Sequence, residues 1–167
     1  MTVIPWRIET QRLILRTATP DDVEAIFVGW ASDPVATRYM SWARHVSRAE
    51  TRAFLDHCEA QWSSVSVGPC LIALRESGEL IGGSGLSLSS APAVAEIGYI
   101  LAPQHWGGGY ATETVRALVG WARSLGLQRL HASVHPANTA SRNVLRKCGF
   151  TPDEHAGPKV RFPNLTE

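Results

Sequence analysis

The segment Ala95-Glu96-Ile97-Gly98-Tyr99-Ile100-Leu101 and, just after it, Gln104-His105-Trp106-Gly107-Gly108-Gly109-Tyr110-Ala111 decide the fold. The first segment is short and apolar and predicts a strand. Three glycines follow. Beyond them Ala111, Val115, Leu118, Val119, Ala122 and Leu125 recur close to a 3.6-residue period, which predicts an amphipathic helix ended by Gly126. Glycine backbone lets a ligand approach closely. Free N–H groups at a helix start, aided by the helix dipole, favour an anion, and a pyrophosphate is the natural guest. A plain glycine turn is the competing reading. Two nucleotide motifs are excluded by spacing. No Gly-Lys-Ser/Thr follows the glycines, as a P-loop needs. The pattern Gly107-x-Gly109-x-x-Thr112 lacks a third glycine, and Arg129, not an acid, stands about 20 residues on.

Working outward, Arg12–Thr17 alternates as a strand, and Thr19-Pro20-Asp21-Asp22 starts a helix that places Val23, Ile26, Phe27 and Trp30 on one face. Asp33–Val46 is irregular and aromatic. Ser47–Glu50 forms a capping box for a second helix with Phe54, Leu55, Cys58 and Trp62 inward. Cys70–Arg75 and Glu79–Leu88 flank a Ser77-Gly78 turn and predict a hairpin. Leu130–Val134 predicts another strand. Pro136-Ala137-Asn138 opens a short helix ending at Gly149, with Val144, Leu145 and Cys148 inward. Strands followed by helix–strand–helix predict an α+β (mixed α/β) fold, its sheet covered by helices on both faces.

The 167 residues suit a single domain spanning 1–167. A formal net charge of +1, with arginines spread along the chain, gives no reason to expect nucleic acid or a membrane as partner. Three cysteines, Cys58, Cys70 and Cys148, make neither a disulfide framework nor a metal pattern. They read as reduced thiols. With no signal peptide and no apolar run of spanning length, the chain is expected to be soluble and cytoplasmic.

Gln104-x-x-Gly107-x-Gly109-x-Ala111 resembles the acetyl-CoA pyrophosphate loop of the GNAT superfamily of N-acetyltransferases. His135-Pro136-Ala137-Asn138-Thr139-Ala140-Ser141, continuing to Lys147-Cys148-Gly149-Phe150, is similar to the N-x-x-S…K-x-G-F segment of its RimJ/RimL-type branch. That branch acetylates ribosomal-protein N-termini. Glu9–Arg16 and Asp33-Pro34 through Tyr39-Met40 fit the same branch, so the resemblance spans about residues 8–150. It implies a mostly antiparallel sheet splayed at the cofactor site, acetyl-CoA as co-substrate, no metal and an amine acceptor. By resemblance, the cofactor is held by Gln104, Trp106, Gly107, Gly108, Gly109, Tyr110, Ala111 and Thr112, chiefly through backbone N–H groups. Asn138 and Ser141 meet the pantetheine arm and sulfur. Trp30, Tyr39, Met40 and Trp42 lie over the acceptor.

Attack on a thioester needs a neutral amine. At pH 7 roughly a tenth of α-amines are neutral, against under about 0.1% of lysines. Glu96 is the candidate base, sharing a face with Gly98 and Ile100 by alternation. Its alternative reading is an edge carboxylate paired with an arginine. Asn138 also reads as a helix N-cap. Ser141, one turn further along that helix, is the candidate acid or hydrogen-bond donor to the departing sulfur. His105 and His135 read as solvent-facing and structural, respectively. The favoured acceptor is a protein or peptide α-amine. Alternatives are a small amine (aminoglycoside, polyamine or amino acid) and a non-catalytic acyl-CoA-binding module.

The chain departs from this branch after Phe150. Thr151–Phe162 is read as one irregular strand, Pro163-Asn164-Leu165 resembles the turn after it, and too few residues remain for the last strand. An exposed sheet edge is therefore expected beside the acceptor site, and a homodimer is expected to cover it.

Overall fold

The computed structural model describes residues 6–153 and 159–165. Six strands form one sheet in sequential order: β1 (Arg7–Glu9), β2 (Leu13–Arg16), β3 (Pro69–Leu74), β4 (Leu80–Leu88), β5 (Val94–Leu101) and β6 (Arg129–His131). All neighbours are antiparallel except β5 and β6. Four α-helices accompany them: α1 (Val23–Ile26), α2 (Arg48–Val65), α3 (Tyr110–Ser124) and α4 (Thr139–Lys147).

Strand alternation builds two cores. Leu13, Leu15, Ile72, Ile81, Ile97 and Leu101 pack against Val115, Leu118 and Ala122 of α3. Leu71 and Ile100 point the other way, onto Val23, Ile26, Trp30 and Leu55. Helices therefore cover both faces, and the α+β GNAT-type sheet expected from sequence is present. The capping box at α2 forms, with Ser47 and Glu50 each accepting a backbone N–H of the other.

Four expectations need correction. The strand read over Arg12–Thr17 is the second arm of a hairpin. Thr10 N–H donates to Leu13 O at 2.9 Å and turns the chain back, so β1 precedes it. The helix after Thr19 is composite, with a 3-10 turn at Pro20–Asp22 before α1 and a π-helical turn at Phe27–Ala31 after it. The strand read over Leu130–Val134 ends at His131, because β5 and β6 diverge there. No strand follows α4 among the described residues, so the strand read over Thr151–Phe162 does not form on 151–153 or 159–162. Its remaining positions, 154–158, lie outside the described residues.

The three cysteines are free thiols. Burial pushes the Cys58 thiol up to about 12, which keeps it protonated and inert. No described helix is long and apolar enough to cross a membrane.

Candidate active site

The site is built where β5 loses its neighbour. Pairing of β5 with β6 stops at Glu96↔His131, while pairing with β4 runs on to Leu101↔Gly82. Among the described residues, 97–101 therefore have a strand on one side only. Ser89 N–H donates to Val94 O at 2.9 Å, and Ala102 N–H to Ile81 O at 2.8 Å. In an antiparallel ladder alternate residues make these bonds. Val94, Glu96, Gly98, Ile100 and Ala102 thus turn their backbone towards β4, and Tyr99 and Leu101 turn theirs towards the gap. Leu101 O is taken there by the Trp106 indole N–H at 2.9 Å. This tether folds the start of the glycine loop against the strand end.

The loop continues through a 3-10 turn at Pro103–His105. Gly107 and Gly109 sit at φ +79° and +80°, the left-handed region that favours glycine. The first helical bond at this end runs from Glu113 N–H to Gly109 O at 3.1 Å. The N–H groups of Tyr110, Ala111 and Thr112 lie ahead of the ladder. Trp106 differs from expectation: its N–H donates to Pro103 O at 3.1 Å, so the loop offers its N–H groups from Gly107 onward. Gln104 is exposed on the 3-10 turn. His105, read as solvent-facing, is half-buried and bonds Glu79 Oε1 at 3.2 Å.

The loop is anchored from an unexpected side. Arg12, at the β1–β2 turn, donates to Gly108 O at 2.8 Å and to Glu113 Oε2 at 2.7 Å, and lies 4.4 Å from the Tyr110 ring centroid. Glu113 Oε1 accepts from Thr10 Oγ1 at 2.6 Å and from Arg12 N–H at 2.8 Å. Burial raises the Glu113 pKa, but these donors and the guanidinium outweigh it and hold the carboxyl below its usual range. In sequence Arg12 is one outward position of a strand and Glu113 an ordinary first-turn acid. Nothing in their spacing joins them. A groove of about 720 Å³ beside the loop is lined by Gly109, Thr112, Arg116 and Lys147. Arg116 and Lys147 bring positive charge to the glycine loop from two helices, a juxtaposition that only the packing of α3 on α4 creates.

Glu96 and Ser141 lie on opposite faces of β5. Glu96 is exposed, on the face of Ile100, opposite Ser87 on β4 and His131 on β6. Among the described residues no arginine is paired with it. A Cβ at Gly98 would meet nothing within 4 Å, so open space lies beside the carboxylate. On the other face the Tyr99 and Ser141 hydroxyls are 2.5 Å apart. Burial raises the Tyr99 pKa. Strand alternation puts Tyr99 on the face opposite Glu96, but only the packing of α4 brings Ser141 to it. Asn138 is the N-cap of α4, its Oδ1 accepting from Ser141 N–H at 3.2 Å.

The four aromatic and thioether residues expected over the acceptor separate. Trp30 is 3% exposed and belongs to the core, so it offers no surface. Tyr39, Met40 and Trp42 are half-buried. His135 stacks on Tyr39 at 5.1 Å, and its Nδ1 accepts from Ala137 N–H at 3.1 Å. Among the described residues no group of three His, Cys, Asp or Glu is placed to hold a metal ion.

Residues 12–151 match the acetyltransferase (GNAT) domain, and the chain belongs to this family. It is 37% identical over 145 residues to the uncharacterized N-acetyltransferase YoaA of Bacillus subtilis (strain 168), covering 86% of this chain and 81% of that protein. The acetyltransferase of Agrobacterium tumefaciens str. C58 superposes with a TM-score of 0.78 at 30% identity, covering 94% and 90% of the two chains. The ribosomal L7/L12 α-N-protein acetyltransferase RimL, solved in complex with coenzyme A, shares the fold with a TM-score of 0.78 at 24% identity, over 87% and 84%. The protein is an acetyl-CoA-dependent N-acetyltransferase.

Proposed function

We propose that the acceptor is the α-amine of a protein or peptide N-terminus, attacked directly without an acyl-enzyme. One observation carries this reading. Asp33 is the single acid of the 33–46 segment, and its Oδ1 is turned onto the N–H groups of Val35 and Ala36, both at 2.8 Å. Asp33 keeps its charge, but Arg38 and Arg44 outnumber it two to one and leave the segment net positive. A polycationic drug or polyamine would meet repulsion there, whereas a peptide terminus with one amine would not.

Acetyl-CoA supplies the acyl group as a thioester. Gly107–Thr112 offer N–H groups to its pyrophosphate, with Arg116 and Lys147 adding positive charge. Glu96 takes a proton from the attacking amine, directly or through water. The Tyr99 N–H, turned towards the gap, polarises the carbonyl oxygen. Ser141 donates a hydrogen bond to the departing sulfur, and the Tyr99 hydroxyl behind it supplies the next donor. The gap between β5 and β6 lets chemistry begin on the Glu96 face and finish on the Ser141 face.

Thiol release from acetyl-CoA tests the acceptor. The highest kcat/KM is expected for an uncharged peptide with a free N-terminus, above the same peptide blocked and carrying one lysine, an aminoglycoside or spermidine. A higher value for the aminoglycoside or the polyamine overturns the reading. The expected homodimer remains a proposal: β6 ends the sheet on the acceptor side, and a clean monomer in sedimentation at micromolar concentration rules it out.

A further inference from the structure

The chain's C-terminal segment returns to the acceptor side, and one side chain fixes it there. Asn164 Nδ2 donates to Thr37 O at 2.9 Å and to Trp42 O at 2.8 Å. Its Oδ1 accepts from Arg44 N–H at 2.8 Å. A single amide thus satisfies three backbone groups of a segment that lies more than 110 residues earlier and has no regular secondary structure over 40–46. Two residues before Asn164, the Phe162 ring packs edge-on against His135 at 4.9 Å. His135 in turn stacks on Tyr39. Three separate stretches of chain (the 37–44 segment, the end of the β6 connection and the tail) therefore meet in one aromatic wall beside the gap.

We propose that Asn164 is a positioning residue for the acceptor: it pins the 37–44 segment and so sets the Tyr39–His135–Phe162 wall against which the amine's own chain rests. This rests on the reading that the 33–46 segment faces the acceptor. The physical basis is entropy. Turn bonds hold the segment up to Met40, and His45 N–H reaches back to Ala31 O, but the backbone between them has no ladder to hold it. Each of the three bonds to Asn164 fixes a point of it that no helix or strand would fix. The wall is aromatic, with ring faces and edges to stack on, so it favours an amine with an aromatic or apolar group next to the reacting nitrogen over a bare or polyhydroxylated one.

Asn164→Ala in the full chain tests this, with Asn164→Asp as companion. Asp retains an acceptor for Arg44 N–H but faces Thr37 O and Trp42 O with oxygen instead of N–H. Three readouts are taken: amide exchange over residues 37–44, the KM of an N-terminal phenylalanyl peptide and of phenethylamine, and the Kd of acetyl-CoA. In both variants exchange is expected to rise and the amine KM to increase about tenfold, with kcat changed less and the acetyl-CoA Kd unchanged. Unchanged exchange overturns the pin. Raised exchange with an unchanged amine KM leaves the pin but overturns the placement of the acceptor on this wall. Weakening of acetyl-CoA by the same factor shows general loosening and overturns the positioning role. An Asp variant equal to the parent overturns the part assigned to the two donor bonds.

Discussion

The two sides of the gap are held in place by different means. On the cofactor side the glycine loop runs straight from β5 into α3. Its shape is fixed by positive φ at Gly107 and Gly109, by the Trp106 tether and by the Arg12–Glu113 clamp. On the side we propose for the acceptor, the 33–46 segment lies between two helices and is fixed by Asn164, by ring contacts to His135 and by the packing of Ala36, Met40 and Trp42 in the second core. The first, which we propose binds the co-substrate, is continuous in sequence from β5 to α3 and is clamped across 101 positions by Arg12 and Glu113. The second, which we propose meets the acceptor, has turn bonds of its own up to Met40 and depends on Asn164 for the backbone of Trp42 and Arg44. Such a division lets the acceptor side change without disturbing the cofactor side.

The largest expected effect lies on the cofactor side. Gly109→Val forces a β-branched residue into φ +80° and sets a Cβ 3.4 Å from the Arg12 guanidinium. Acetyl-CoA affinity should fall by about 10²-fold or more, for every amine alike, in a protein that remains folded. Calorimetric titration giving the parent's Kd would break the assignment of the loop.

Next comes Glu96→Gln, which keeps the shape and removes the proton acceptor. The rate at neutral pH should drop by about 10²-fold while acetyl-CoA still binds. The loss should shrink at high pH, where the amine is already neutral. Full activity across the pH range would sink Glu96 as base. Tyr99→Phe removes one hydroxyl from the far face of the same strand. A fall in kcat of about tenfold, with an unchanged acetyl-CoA Kd, is expected from one lost buried hydrogen bond. A shift in Kd instead would make Tyr99 a binding residue.

The smallest effect concerns the clamp. The Glu113 carboxyl is held below its usual range, so the stabilisation it gives is complete above roughly pH 4.3 and fades as pH falls through the lowered value. The parent should lose thermal stability on acidification in that window more steeply than Glu113→Gln, which has no such group to titrate. Parallel melting curves for both would separate the clamp from the loop's own rigidity.

How much was legible follows the same division. The strand–glycine–helix run announced itself through local rules: a period, three glycines and a terminating Gly126. Glu96 could be named from strand alternation beside the glycine loop, and Asn138 and Ser141 from the resemblance of their motif to the family's. Arg12, Tyr99 and Asn164 could not. Arg12 reaches Glu113 across 101 positions, Tyr99 reaches Ser141 across 42, and Asn164 reaches Thr37 across 127. Trp30 misled in the other direction, since an aromatic near an acceptor segment looks the same in sequence whether it faces the cleft or the core.

The sequence by itself determined the element order, the two apolar faces and the glycine loop, because period, capping and backbone freedom act over a few neighbouring residues. Tertiary structure alone decided where β6 parts from β5, which hydroxyl meets Ser141, and that the tail folds back to hold the 37–44 segment. Those outcomes depend on contacts between distant residues, whose formation is settled only when the whole sheet has packed between its helices.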